Sequence, residues 1–264
     1  MRVVFIADAH LRQPEDRNYR ALLTFLAGLE GKTDLLVIVG DLFEFLIGYP
    51  VRDFPHYRPV LDGLLSLKAA GARIIYHEGN HDFHLGSFFI ETLGAEVHSG
   101  PAIIDLDGKK TFICHGDQIN RGELSHRMLR ALFHGPLVKA LIPIVPARFA
   151  CFIADRLGRR SVDGRAKKKR RVDTRALLIR DYAAEWFGKG CDAVVTGHFH
   201  LPFLETSDSG RHMLLSMGDW ITRYSYAECL DGEFSLKSYA PPPDQIRGIT
   251  GKTFPAPALP TEMP

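Results

Sequence analysis

The 264-residue chain holds only four cysteines, Cys114, Cys151, Cys191 and Cys229, and no two of them form a CxxC pair. That spacing excludes a zinc knuckle and a disulfide-framed scaffold. It reads as small buried hydrophobes in a reducing compartment. No window approaches the ~20 apolar residues of a membrane span. The apolar start "VVFIA" is too short for a signal peptide and stops at Asp8. The most apolar stretch, "ALIPIVPA", is bracketed by Lys139 and Arg148. Internal repeats are absent, and a net charge of +2 names no partner by itself. These shortages predict a cytoplasmic protein whose membrane contact is limited to its surface.

What is present is a large apolar share, 45% of the chain, enough for one α/β domain or one domain with an insert. The charge is unevenly spread. Between Arg121 and Arg171 stand fourteen Lys/Arg against three Asp/Glu, a net of +11, so the remainder carries −9. A basic module is set into an acidic body.

The first half alternates strand-like and helix-like runs. "RVVFIA", "DLLVIVG" and "ARIIYHE" are apolar and rich in β-branched residues, as buried strands are. Residues 16–30 and 57–70 place leucines at helical spacing. This βαβαβ rhythm predicts parallel strands with helices on both faces. "PAIIDLDGKKTFICHG" reads as a hairpin turning at Asp107-Gly108. "CDAVVTG", "RHMLLSMGDW" and "GEFSLKSY" read as further strands of a second sheet. The domain is expected over 1–240, interrupted by a helical basic and apolar insert at 119–172. A Pro/Gly-rich tail over 241–264 is expected to be extended or disordered.

Chemistry gathers where the strands stop. Asp8 and His10 follow the first strand in "DAH", and Asp41 follows the second in "GDLFE". Asn80 and His81 follow the third in "GNHD", His115 follows "KTFIC" in "HGD", and His198 and His200 follow "CDAVVT" in "GHFH". Ligands of open α/β sheets bind beyond the carboxyl ends of strands, so five such ends can converge on one crevice. Apart from His81, the seven imidazole, carboxylate and amide groups are too many for one first-row ion and suit two ions sharing a bridging carboxylate. Imidazole with carboxylate favours Mn, Fe or Zn over Ca or Mg. Two ions about 3.5–4 Å apart can activate water and stabilise the oxygens of an in-line phosphoryl displacement.

In this order and at these intervals, the five motifs resemble the calcineurin-like metallophosphoesterase superfamily. They span Asp8 to His200, about three quarters of the chain. The resemblance implies a four-layer α/β/β/α sandwich with a helical lid insert. It implies one metal held by Asp8, His10, Asp41 and His200, and another held by Asp41, Asn80, His115 and His198. It also implies that His81 protonates the leaving group or holds the substrate phosphate. "GDLFEFLIG" with "GNHDFHLG" is more narrowly similar to the UDP-2,3-diacylglucosamine diphosphatases of lipid A biosynthesis. That likeness implies two Mn²⁺ and cleavage of UDP-2,3-diacylglucosamine to UMP and lipid X. The best-known members of that group have arginine where this chain has His81.

The insert points the same way on its own residues. Leu124, Met128, Leu132, Phe133, Leu137, Leu141, Ile144, Phe149 and Phe152 are among its large apolar side chains, a density beyond one helical stripe. A slot for acyl chains accounts for the excess. An ordinary helical core or a dimer interface accounts for it as well. Arg160, Lys167, Lys168 and Lys169 are candidate contacts for the substrate diphosphate or anionic lipid head groups. The expected location is cytoplasmic, peripherally associated with the inner membrane. The alternative function is a phosphodiesterase or nuclease with the same metal core. Against nucleic acid, the insert does not interleave basic and aromatic residues for base stacking. A scaffold that has lost its ligands is the other reading, and the complete ligand set opposes it. Asp82 and Asp117 are expected to position backbone or ligands rather than bind metal. Glu44 is read either as orienting His81 or as capping a turn. His56, His77, His84, His98, His126, His134 and His212 read as ordinary surface or core imidazoles.

Overall fold

The computed structural model describes residues 1–120 and 172–241, with 135, 138, 140, 142 and 144–146 between them. Most of the insert, including Arg160, Lys167, Lys168 and Lys169, lies outside the described residues, as does the tail beyond residue 241.

The first sheet contains β1 (Arg2–Ile6), β2 (Leu35–Val39), β4 (Arg73–His77), β6 (Glu96–His98), β12 (Ser225–Leu230) and β13 (Glu233–Ser238). The second contains β7 (Ala102–Leu106), β8 (Lys109–Cys114), β9 (Ala193–Thr196), β10 (Phe203–Thr206) and β11 (Met213–Ser216). Their orders are β13-β12-β1-β2-β4-β6 and β10-β11-β9-β8-β7. A small parallel pair, β3 (Leu46–Ile47) with β5 (Asp82–Phe83), stands apart from both. The helices are α1 (Arg17–Leu29), α2 (Arg58–Ala69) and α3 (Val172–Gly188).

Strand side chains alternate between faces, and the alternation sorts the core into three layers. Val3 and Phe5 of β1, with Val37 of β2, meet Ile113, Val195 and Leu215 of the other sheet between the two sheets. Val4, Ile6, Leu36 and Ile38 face the opposite way, onto Leu22 and Leu26 of α1 and Leu61 and Leu64 of α2. Phe112, Val194 and Leu214 face α3 through Ile179, Tyr182 and Ala183. The result is the expected α/β/β/α sandwich.

Two local expectations are corrected. Helices do not cover both faces of the first sheet, because α1 and α2 lie together on one. The parallel strands advance in one direction, β1 to β2 to β4, and crossovers of constant right-handedness then stay on the same side. The other face is free for the second sheet. "GEFSLKSY", expected in the second sheet, forms β13 of the first. Its neighbour β12, antiparallel to β1, carries Glu228 in mid-strand, which masks its period in sequence. Glu228 is held there by Arg2 at 2.6 Å and by Lys237. The predicted hairpin is β7–β8, turning at Asp107 (φ 52°) and Gly108 (φ 83°), the paired left-handed values of a type I′ turn.

Candidate metal centre

β1, β2 and β4 run parallel in one sheet, and β8, β9 and β11 run parallel in the other. Their carboxyl ends open on one rim, where backbone bonds zip the connections together. Asp8 donates its N–H to Gly40 O at 3.1 Å, His10 to Asp41 O at 3.0 Å and Gly197 to His115 O at 2.8 Å. Asp8, His10, Asp41, His198 and His200 all adopt left-handed backbone, with φ between 45° and 68°. Non-glycine residues tolerate such values where the surroundings over-determine them, typically at functional sites. Gly79 is required for close approach. A Cβ there would stand 2.6 Å from Asp41 N and closer still to its carboxylate.

The seven predicted residues meet. Asp8, His10 and His200 place candidate ligand atoms within 4.8 Å of one another, as do Asp41, His115 and His198. His200 Nε2 is 3.5 Å from Asp8 Oδ1, and His115 Nε2 is 3.3 Å from Asp41 Oδ2. His10 Nε2 is 3.7 Å from the same Asp41 oxygen, so this carboxylate lies between the two groups. Asn80 Oδ1 is 3.1 Å from His115 Nε2. His115 Nδ1 faces the Val39 carbonyl at 2.9 Å, which can only accept. Nδ1 therefore carries a proton, and Nε2 is turned to the centre.

The electrostatics suit cations. Asp8 and Asp41 are almost wholly buried. Burial pushes the Asp8 carboxyl up to about 7, against His115 and His10 and with help from Asp41. Burial acts on Asp41 too, but His115, His81 and His10 overcome it and hold that carboxyl well below its ordinary value. Asp8 Oδ1 is buried with no hydrogen-bond partner. A buried anionic oxygen without a donor is costly, and a metal ion satisfies it. The donor set of imidazoles, carboxylates and an amide fits first-row divalent ions.

The profile of the calcineurin-like phosphoesterase family matches residues 1–202. The chain belongs to this family. It is similar to the UDP-2,3-diacylglucosamine hydrolase of Aeromonas salmonicida, 28% identical over 240 residues, 90% of this chain and 93% of that one. The enzyme of the same name from Pseudomonas syringae pv. tomato is 30% identical over 222 residues, 83% and 88% of the two chains. Among solved structures, a novel archaeal phosphodiesterase aligns over 90% of this chain and 100% of its own, at 12% identity and TM-score 0.48. By its family and its hydrolase relatives, the protein is a hydrolase of the metal-dependent phosphoesterases.

Around the phosphoesterase centre, Asp82 takes the positioning role expected of it. Fully buried, it accepts N–H bonds from Asp41, Leu42, Phe43 and Gly79 and the hydroxyl of Tyr76, tying the "GDLF" and "GNHD" turns together. Glu44 does neither job exclusively. Its side chain faces His10 Nδ1 at 3.2 Å and Arg12 at 2.6 Å, while its carbonyl accepts from His81 Nδ1 at 2.9 Å. His10 and His81 pack edge to face at 4.7 Å, so His81 borders the centre.

A cavity of about 620 Å³ is walled by Gly48, Tyr49 and Asp53, by His84 and Leu85, and by Ile142, Ile144 and Val145 of the insert. Its walls directly continue the segments bearing Glu44 and His81, through β3 and β5. His84, read from sequence as an ordinary imidazole, lines this space in left-handed backbone, φ 52°. Asp219 was not singled out in the sequence. Its Oδ2 lies 4.0 Å from His200 Nδ1. The signal was a sixth strand end, the "GDW" after "LLSM". Among the described residues, no helix is long and apolar enough to cross a membrane.

Proposed function

We propose that this phosphoesterase hydrolyses the pyrophosphate bond of UDP-2,3-diacylglucosamine, giving UMP and 2,3-diacylglucosamine 1-phosphate, lipid X. The observation that carries the reading is the cavity: the segments that bear Glu44 and His81 of the candidate centre run on, through β3 and β5, into the walls of a space lined by apolar insert residues such as Ile142 and Val145. The relatives named UDP-2,3-diacylglucosamine hydrolase supply the substrate, a nucleotide-linked acylated sugar. The cavity supplies a place for its acyl chains. Each methylene buried there contributes roughly 0.8 kcal/mol.

In this reading Asp8, His10, Asp41 and His200 hold one ion and Asp41, Asn80, His115 and His198 hold the second, with Mn²⁺ the preferred metal. When bound, the ion pair supplies a strong nucleophile from water and compensates charge on the phosphoryl oxygens. His81 has its Nδ1 committed to the Glu44 carbonyl and keeps Nε2 for substrate. Protonated, that nitrogen donates to the oxygen of the departing phosphate. Asp82 and Glu44 keep the turns and rings fixed, so that no reorganisation is needed as charge develops. Arg160, Lys167, Lys168 and Lys169, by their charge, are the proposed contacts for the diphosphate or the head groups of an anionic membrane. The enzyme works peripherally at the inner membrane, where the exposed Ile144 is available for contact.

The test uses Mn²⁺-loaded full-length protein with UDP-2,3-diacylglucosamine, UDP-glucosamine and a small phosphodiester. UMP release from the acylated substrate, slowed at least tenfold by Ile142→Asp without effect on the small phosphodiester, is expected. Robust cleavage of the deacylated nucleotide with the acylated one untouched overturns the lipid assignment.

A further inference from the structure

The connection from β11 to β12 brings a further carboxylate to the rim, and nothing in the five strand-end motifs accounts for it. Met217 donates its N–H to Thr196 O at 2.7 Å, and Trp220 donates its backbone N–H to Asp8 O at 3.2 Å. The Trp220 ring is fully buried and its Nε1 donates to Asn18 O at 3.0 Å, so the loop is anchored at its centre. Asp219 lies between these anchors and is 5% exposed.

Its two oxygens are used differently. Oδ1 accepts from Thr222 N at 2.7 Å, Thr222 Oγ1 at 3.0 Å and Arg223 N at 3.4 Å. Oδ2 takes no part in that turn. It faces His200 Nδ1 at 4.0 Å and Arg223 Nε at 3.7 Å. The opposite nitrogen of the same ring, Nε2, faces Asp8 Oδ1 at 3.5 Å. His200 therefore lies between two buried carboxylates with each nitrogen turned to one. A histidine that ligates through Nε2 carries its proton on Nδ1, and an acceptor for that proton sets its tautomer and orientation and raises its basicity. A gap of 4.0 Å closes through one bridging water or a small rotation of the ring.

We infer that Asp219 is a positioning residue for one metal site, holding His200 through Nδ1 so that Nε2 presents to the ion beside Asp8. The inference rests on His200 being a ligand, as proposed above. Loss of such a partner typically costs 10–100-fold in metal affinity.

The probe is Mn²⁺ alone, titrated calorimetrically into metal-stripped full-length protein, with wild type, Asp219→Asn, Asp219→Glu, Ser225→Ala and His200→Ala compared. Asp219→Asn retains an oxygen for the Thr222 and Arg223 amides but removes the charge opposite His200. Expected are a 10–100-fold weaker affinity at one of two sites in Asp219→Asn, partial recovery in Asp219→Glu, and an unchanged melting temperature of the metal-free protein. Ser225→Ala loosens the same loop by removing the hydroxyl bond to Asp219 O and is expected to bind Mn²⁺ like wild type. Electron paramagnetic resonance of bound Mn²⁺ is expected to change in Asp219→Asn alone of these two. Equal weakening in Ser225→Ala, or wild-type affinity in Asp219→Asn while His200→Ala loses a site, overturns the inference. Wild-type binding by His200→Ala overturns the ligand assignment beneath it.

Discussion

His198 donates its backbone N–H to Asp8 Oδ2 at 2.9 Å, across 190 residues of chain. One oxygen of Asp8 is thereby fixed by the loop after β9, and the other is left buried without a hydrogen bond, facing His200 Nε2 at 3.5 Å. Backbone amides from distant loops arrange the carboxylates, and the carboxylates arrange the rings.

The Asp82 network predicts a stability effect. Asp82→Asn puts an amide NH₂ against backbone N–H groups where a carboxylate oxygen accepted them. A loss of at least about 3 kcal/mol is expected, because several charge-assisted bonds of a buried group go together. Urea denaturation of the metal-free proteins measures it. A loss below about 1 kcal/mol would mean the two turns hold without this carboxylate.

His81→Ala is expected to lower kcat by about 10²–10⁴-fold, the usual weight of a general acid, with Mn²⁺ content preserved. Elemental analysis alongside turnover decides the matter. His81 shares a cluster with His10 and Glu44, so a matching fall in metal content would make it a ligand.

Gly79→Ala is expected to displace Asp41, since the new methyl would press on both its amide and its carboxylate. Overpacking of this kind costs about 1–3 kcal/mol, and both proposed metal sites should weaken together because Asp41 lies between them. Calorimetric titration that found both sites intact would show the turn able to give way.

His77 gives a pH prediction. It is fully buried, stacked on His98 at 4.9 Å, with Nδ1 toward Gly100 O. Burial first, and the neighbouring His98 second, lower it to about 4. The unfolded chain, near 6.5, then binds more protons than the folded one between these values. The stabilisation is present above about 6.5 and is lost as pH falls toward 4, by about 2 kcal/mol at pH 5. Urea midpoints at pH 7 and pH 5 test it, and His77→Leu should flatten this part of the difference.

The sequence by itself was enough to mark the candidate ligand residues and the elements that carry them. "DAH", "GDLFE", "GNHD", "HGD" and "GHFH" stand at the ends of apolar runs, and those runs are β1, β2, β4, β8 and β9. Local composition decides such things because a buried strand must be apolar and a ligand set must be polar, so the change of character marks the rim. Only the tertiary structure decided which face the helices take, which sheet β13 joins, and what stands behind each ring. These depend on crossover direction and on pairing between segments far apart in sequence. Asp219 shows the limit: three letters, "GDW", read as the tail of the strand "RHMLLSMGDW" until the hydrogen bond from Trp220 to Asn18 anchors the loop that brings that carboxylate opposite His200.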